Sequence, residues 1–199
     1  MAAAGAFLGL VGWAVAEGLE YAPKPTAYLK GGCKGAADPD LALAVASKWG
    51  PVFGCPIKTM LVIGAIESGY RPACSNITPQ GMALGGAWGM FQQMRNTAAG
   101  HARALASSPN PDVQATLRKW TGQGPDLFDA DLCGMFAARQ LGQAHAQFGD
   151  DIAKVAGAYH QGAGKIRSMV AAGRAIPAEL PPHGKTYVTR ALEWSAKIG

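Results

Sequence analysis

Ile57-Lys58-Thr59-Met60-Leu61-Val62-Ile63-Gly64-Ala65-Ile66-Glu67-Ser68-Gly69 is the stretch on which the fold turns. Ile57, Met60, Leu61 and Gly64 recur at helical spacing, which predicts a helix from about Pro56 to Ser68. Val62, Ile63 and Ile66 make it apolar on nearly every side, so it must be a buried central helix. Gly69 stops it. Glu67 stands at its end and is the only carboxylate between Asp40 and Asp112. Apolar surroundings and the partial negative charge of a helix C-terminus both favour the protonated form of such a group. A raised pKa suits a general acid near neutral pH. A solvent-exposed Glu67, or one paired with Arg71, is the competing reading.

Working outward, Asp38-Pro39-Asp40 opens a preceding helix, with an acid as N-cap and Pro in the first position. Leu41, Leu43, Ala44, Val45 and Trp49 form its apolar side, and Gly50-Pro51 is expected to end it. Arg71 to Gly86 reads as a loop. Helices are predicted over Met90–Leu105, Asp112–Trp120, Asp131–Phe148, Asp151–Tyr159, Lys165–Ala172 and Thr186–Ile198. No alternating strands and no internal repeat appear. The class is mostly α, with long loops and little or no β structure.

Hydrophobic residues make up 49% of the 199 and charged residues 16%, which excludes a disordered chain and suits one domain. The formal charge of +5 suits an anionic polymer, but Arg118-Lys119 is the only adjacent basic pair, so no nucleic-acid site is expected. Cys33, Cys55, Cys74 and Cys133 lack metal-site spacing and imply neither metal nor cofactor. They admit two disulfides in three pairings if the protein is exported, or buried free thiols. His183-Gly184-Lys185-Thr186 ends like a phosphate loop, but Glu179 stands where the first glycine is needed.

Residues 1–23 form a hydrophobic N-terminal segment. Its uncharged run, Ala2 to Ala16, is too short for a bilayer span and ends in an A-x-A pattern at Ala14-Val15-Ala16. An export signal, a short membrane-inserting helix and an assembly helix all fit, so membrane contact through residues 2–16 is an expectation. Residues 24–37, punctuated by Pro and Gly, read as a linker, and 38–199 as the folded domain.

Four blocks, in order, resemble the soluble lytic transglycosylase family. Glu67-Ser68-Gly69-Tyr70-Arg71-Pro72 is similar to Glu-Ser-x-aromatic-x-Pro. Gly86-Ala87-Trp88-Gly89-Met90-Phe91-Gln92-Gln93-Met94 is similar to Gly-Ala-x-Gly-Leu-Met-Gln-x-Met, and Thr97-Ala98 follows it. Ala158-Tyr159-His160-Gln161-Gly162-Ala163-Gly164 is similar to Ala-Tyr-Asn-Ala-Gly-x-Gly. Thr186-Tyr187-Val188-Thr189-Arg190 is similar to Thr-x-x-Tyr-Val. The resemblance covers about residues 40 to 195.

It implies a lysozyme-like domain that binds peptidoglycan glycan strands in a groove. It implies cleavage between N-acetylmuramic acid and N-acetylglucosamine with a 1,6-anhydro product, Glu67 serving as acid and then as base. It further implies that Ser68, Ser75, Gln92, Met94, Tyr159, His160 and Tyr187 surround the substrate. Ser68 would cap or brace the helix end, and the Tyr159 hydroxyl would point near Glu67. Trp88 and Phe91 read as core. The chain departs from the pattern in four places. Ser75 and Asn76 share the place of one family serine, the loop Asn76 to Gly85 is long, and His160 and Arg95 replace an Asn and a Pro.

Two other functions fit. A goose-type lysozyme would hydrolyse the same bond and needs a second acid, for which Asp126, Asp129 and Asp131 are the sequence candidates. A structural component of a phage virion or secretion apparatus would need little catalysis. The expected setting is the periplasm and cell envelope, or a phage virion, where the enzyme opens the wall locally.

Overall fold

The computed structural model describes residues 32–76 and 86–198. The hydrophobic segment 1–23, most of the linker and residues 77–85 of the long loop therefore lie outside the described residues. Among the described residues eight helices surround one core: α1 (Pro39–Phe53), α2 (Ile57–Ser68), α3 (Arg95–Leu105), α4 (Pro111–Leu117), α5 (Ala130–Phe148), α6 (Ile152–Gln161), α7 (Ala163–Ala171) and α8 (Pro182–Lys197). Gly124–Phe128 adds a short 3-10 turn before α5.

α2 is buried continuously from Thr59 to Ala65 and packs against α1, α5 and α8. Its apolar circumference requires that enclosure, because an exposed face would leave valine and isoleucine in water. Gly69 closes it at φ 61°, donating to Ala65 O and Gly64 O. Tyr70 follows, also left-handed at φ 62°, so the chain turns sharply and drives the Tyr70 ring into the core against Gly64. A side chain at Gly64 would press on both Tyr70 and Phe91. Asp38 N donates to Tyr70 O at 2.9 Å, which ties the start of α1 to the end of α2.

α1 begins as expected, with the Asp38 carboxylate accepting from Leu41 N at 2.9 Å. It does not end at Gly50-Pro51 but runs on to Phe53, where Gly54 caps it. The residue before a proline avoids helical geometry because its Cβ meets the proline ring, and Gly50 has no Cβ. Gly50 also lets Cys55 O approach closely. α8 likewise starts one turn before Thr186, because Pro182 occupies a first-turn position that needs no amide hydrogen.

Two further expectations change. Residues 89–94 are not helical, since α3 starts only at Arg95. The predicted loop from Arg71 contains β2 (Ala73–Asn76). With β1 (Cys33–Lys34), β3 (Ala87–Trp88) and β4 (Gln93–Met94) it forms a small antiparallel sheet in chain order. Gly89 to Gln92 is the β3–β4 turn, with Gly89 at φ 78° and Gln92 at φ 46°, values that a helix cannot hold. Cys33 and Cys74 face each other across β1 and β2 and form a disulfide. The end of the predicted linker is thereby part of the domain. Cys55 and Cys133 are buried free thiols.

α5 joins the halves. Asp129 caps it through Leu132 N at 2.9 Å. Asp131 accepts from Lys48 Nζ, Trp49 Nε1 and Thr116 Oγ1, which holds the first turn of α5 to α1 and α4. Farther along, Gly142 allows the Phe53 carbonyl to lie against the helix. A methyl group there would collide with that backbone oxygen, which cannot rotate away. Gly142→Ala is therefore expected to cost about 2–3 kcal/mol, seen as a fall in thermal midpoint of roughly 5–10 °C.

Candidate active site

Glu67 is half-buried in the last turn of α2. The Tyr187 hydroxyl, carried by α8, donates to Glu67 Oε1 at 2.7 Å. Arg71 does not pair with it. The Arg71 Nη1 group donates to Ser68 O at 3.3 Å, and Arg71 N donates to Ser68 Oγ at 3.1 Å. Among the described residues no cation forms an ion pair with Glu67. Burial pushes its pKa from 4.5 up to about 7, against the opposing effect of the Tyr187 hydrogen bond. The group is thus substantially protonated near neutral pH, able to give a proton and then take one back.

Ser68 is buried, and its hydroxyl is occupied within the protein. It donates to Gly64 O at 3.4 Å and accepts from Arg71 N. That fits a brace for the helix end and leaves little for a ligand. Gln92 also turns inward, with Nε2 on Gly89 O at 2.9 Å, closing the hairpin turn it occupies. Met94 is half-buried at the start of α3. Ser75 is half-buried on β2, opposite Trp88 in the sheet register. Phe91 is buried and Trp88 packs against the core, as read from the sequence.

The Tyr159 hydroxyl is held from within the protein. It donates to Phe91 O at 2.7 Å and accepts from Gln93 Nε2 at 2.5 Å. Gln93 Nε2 also reaches Gln140 Oε1 at 3.1 Å, and Gln140 Nε2 reaches Tyr159 O at 3.4 Å. The Tyr159 proton is therefore committed to the backbone, and the ring clamps the hairpin to α6. Burial, first, and the nearby Glu67 charge, second, raise the Tyr159 pKa well above its ordinary value. Gln93 and Gln140 are the residues that the sequence reading missed. Gln92 lies in the turn at φ 46° and Gln93 opens β4, so both side chains turn inward, and reading the segment as helix conceals this.

His160, on α6, is exposed and lies flat on the Tyr187 ring, with centroids 4.3 Å apart and planes 7° from parallel. Burial on that face, His183 and Lys165 all lower its pKa below 6.5. Glu67, Tyr187 and His160 thus form one connected set drawn from α2, α8 and α6.

The model of the transglycosylase SLT domain matches residues 44–178. The chain belongs to this family. Among solved structures it is similar to the 70 kDa soluble lytic transglycosylase of Escherichia coli, at 22% identity over 78% of this chain and a TM-score of 0.59. It matches the complex of the 70-kDa soluble lytic transglycosylase with bulgecin A at 22% identity over 80% of this chain, with the same score. The chain spans about a quarter of the length of those structures, at 23% and 24%. No curated protein matches it. At this identity the likeness establishes the mostly α, lysozyme-like fold.

The hydrogen bond from Tyr187 favours the ionised form of Glu67, so removing it must raise the Glu67 pKa further. In Tyr187→Phe the carboxyl titration, followed by carbon NMR, is expected to move upward from about 7 by about one pH unit. An unchanged midpoint would show that the tyrosine does not govern this proton.

Proposed function

We propose that this chain is a peptidoglycan lytic transglycosylase, with Glu67 as its single acid and base. The observation that carries this reading is the Glu67 carboxyl itself: half-buried, held by one phenol and free of ion pairs among the described residues, and raised to about 7. Membership of the transglycosylase SLT domain family supports it. The substrate is the bond between N-acetylmuramic acid and N-acetylglucosamine. Glu67 gives its proton to the glycosidic oxygen as the bond to C1 breaks. The resulting carboxylate then removes the proton of the muramoyl C6 hydroxyl, whose oxygen closes on C1. The product is the 1,6-anhydro sugar, and the acid is regenerated. Tyr187 steadies the carboxylate between the two steps, because its hydrogen bond favours the ionised form. On this reading Met94, Ser75 and His160 contact the glycan. Gln92, Ser68 and Tyr159 shape the site from behind.

The candidates for a second, water-holding acid are all engaged in the fold, which disfavours the hydrolase reading. Asp126 accepts from Thr121 N at 2.7 Å and from Gln123 N at 3.1 Å. Asp129 caps α5 and pairs with Lys119 at 2.9 Å. Burial alone would raise the pKa of Asp131, but Lys48, Trp49 and Thr116 hold it below the usual carboxylate range. The disulfide between Cys33 and Cys74 suits an oxidising compartment such as the periplasm, the cell envelope or a released virion. We assign the enzyme to local wall opening, by a phage or an envelope machine, with residues 2–16 as its membrane or assembly contact.

Glu67→Gln keeps the shape and removes the proton. It is expected to lower wall-lysing activity by about a thousandfold or more, while mass spectrometry of wild-type digests shows anhydro ends. Reducing ends would select the hydrolase. Lysis undiminished by the substitution would exclude this mechanism and leave a structural role.

His160 gains charge only on the acid side of 6.5 and does so against the Tyr187 ring. Wild-type kcat/KM is therefore expected to bend at two places, near 7 from Glu67 and at lower pH from His160. His160→Asn should remove the lower bend and keep the upper one. Superimposable profiles from roughly pH 5 to 8 would rule out a role for this histidine in the pH dependence.

A further inference from the structure

The net charge of the chain is concentrated in its last three helices. Residues 1–151 hold eleven cations and eleven acids, whereas residues 152–199 hold seven cations and two acids. The whole formal charge of +5 therefore lies in α6–α8 and the turns between them. Two of the seven cations are answered locally: Lys154 pairs with Asp151 at 2.7 Å and Arg174 with Glu179 at 2.9 Å. Lys165, Arg167 and Lys185 are exposed and form no ion pair among the described residues. Glu193, the second acid, stands about 12 Å along α8 from Lys185, beyond the roughly 8–10 Å over which exposed charges act in physiological salt.

This charge borders the Glu67 site. Tyr187, which donates to Glu67, is stacked with His160. The next residue, Gln161, accepts from Lys165 Nζ at 2.8 Å and packs on Gly184, the neighbour of Lys185. Lys165 also lines an open cleft of about 620 Å³ between α7 and the segment leading into α8, with Met169, Ala172 and Leu180 in its wall. Glu179 lines it too, but both of its oxygens are occupied, one by Arg174 Nε at 2.9 Å and the other by Ala175 N at 2.8 Å.

We propose that this face of α6–α8 holds the peptide stem of the strand being cut. Its cations attract the carboxylates of the stem, and the cleft takes the small apolar side chains. The inference rests on the transglycosylase reading, which places the glycan at Glu67. A strand held there carries its peptide on the muramoyl unit. An extended peptide advances about 3.3–3.6 Å per residue, so a stem of about four residues passes His160 and meets Lys165. A phosphate polymer would match the cations but leave the apolar wall unused, which favours the peptide. Exposed cations of this kind draw an anionic partner over a distance, and salt weakens the attraction.

Full-chain Glu67→Gln protein allows binding to be read without cutting, so the result does not depend on whether Glu67 is the catalytic acid. Its cosedimentation is measured with two probes: purified wall sacculi freed of phosphate polymers, and glycan strands stripped of their peptides by an amidase. Adding Lys165→Gln, Arg167→Gln and Lys185→Gln together is expected to weaken binding to the peptide-bearing wall about tenfold, and to flatten its salt dependence. A control that removes the same charge from other exposed sites, Lys34→Gln, Arg103→Gln and Arg118→Gln, should retain the affinity. On stripped strands the first triple should bind like its parent. Unchanged affinity in that triple overturns the proposal, as does an equal loss in the control or an equal loss on stripped strands. Tighter binding to phosphatidylglycerol vesicles than to the peptide-bearing wall, lost in the same triple, would assign the face to a membrane and overturn it as well.

Discussion

A carboxyl group at the end of a helix that cannot tolerate water is the constraint from which the architecture follows. α2 is apolar around its circumference, so α1, α5 and α8 have to enclose it. Only its two ends can then meet polar surroundings. At one end Glu67 keeps partial access to solvent but lacks enough of it to ionise at its ordinary pKa. Among the described residues, the one hydroxyl holding it comes from α8, 120 residues away in sequence. The chemistry of Glu67 is therefore set only once the last helix has docked, and site formation is coupled to completion of the fold.

A second layer fixes the geometry around that carboxyl. Tyr159, Gln93 and Gln140 join α6, the β3–β4 hairpin and α5 through hydrogen bonds inside the protein. Removing one partner from such a buried set leaves another unsatisfied, at a cost of about 1–3 kcal/mol. The hairpin cannot drift from α6 without that cost. The left-handed Tyr70 acts similarly on the other side. Its ring fills the space that Gly64 leaves, and its carbonyl holds the start of α1.

The reach of the sequence reading follows the range of the forces involved. α2, Gly69 and the capped start of α1 were legible because spacing, a cap and a stop signal all lie within a few residues of each other. Glu67 was legible as the one acid in a long acid-free stretch. The end of α1 was misread because Pro51 is a strong local signal that a missing Cβ at Gly50 overrides. The hairpin was misread because strands of two residues leave almost no alternation to detect. The proton of Tyr159 could not be assigned at all. Its direction depends on Gln93, which the chain brings close only by folding.

One acid is enough on the proposed reaction because the nucleophile belongs to the substrate. Water would have to be captured and oriented, which ordinary glycosidases do with a second carboxylate. A tethered hydroxyl arrives already oriented, with an effective concentration that reaches about 10⁵ M or more in well-aligned systems. Selection then has no use for a free second acid, and each candidate in this chain is tied into the scaffold: Asp126 into the turn before α5, Asp129 into its cap, Asp131 into the junction of α1, α4 and α5. What the site needs instead is a single group whose two protonation states are close in energy. Burial raises the carboxylate and Tyr187 lowers it again, and the balance near 7 is the one at which the same oxygen can release a proton and recover it within a turnover.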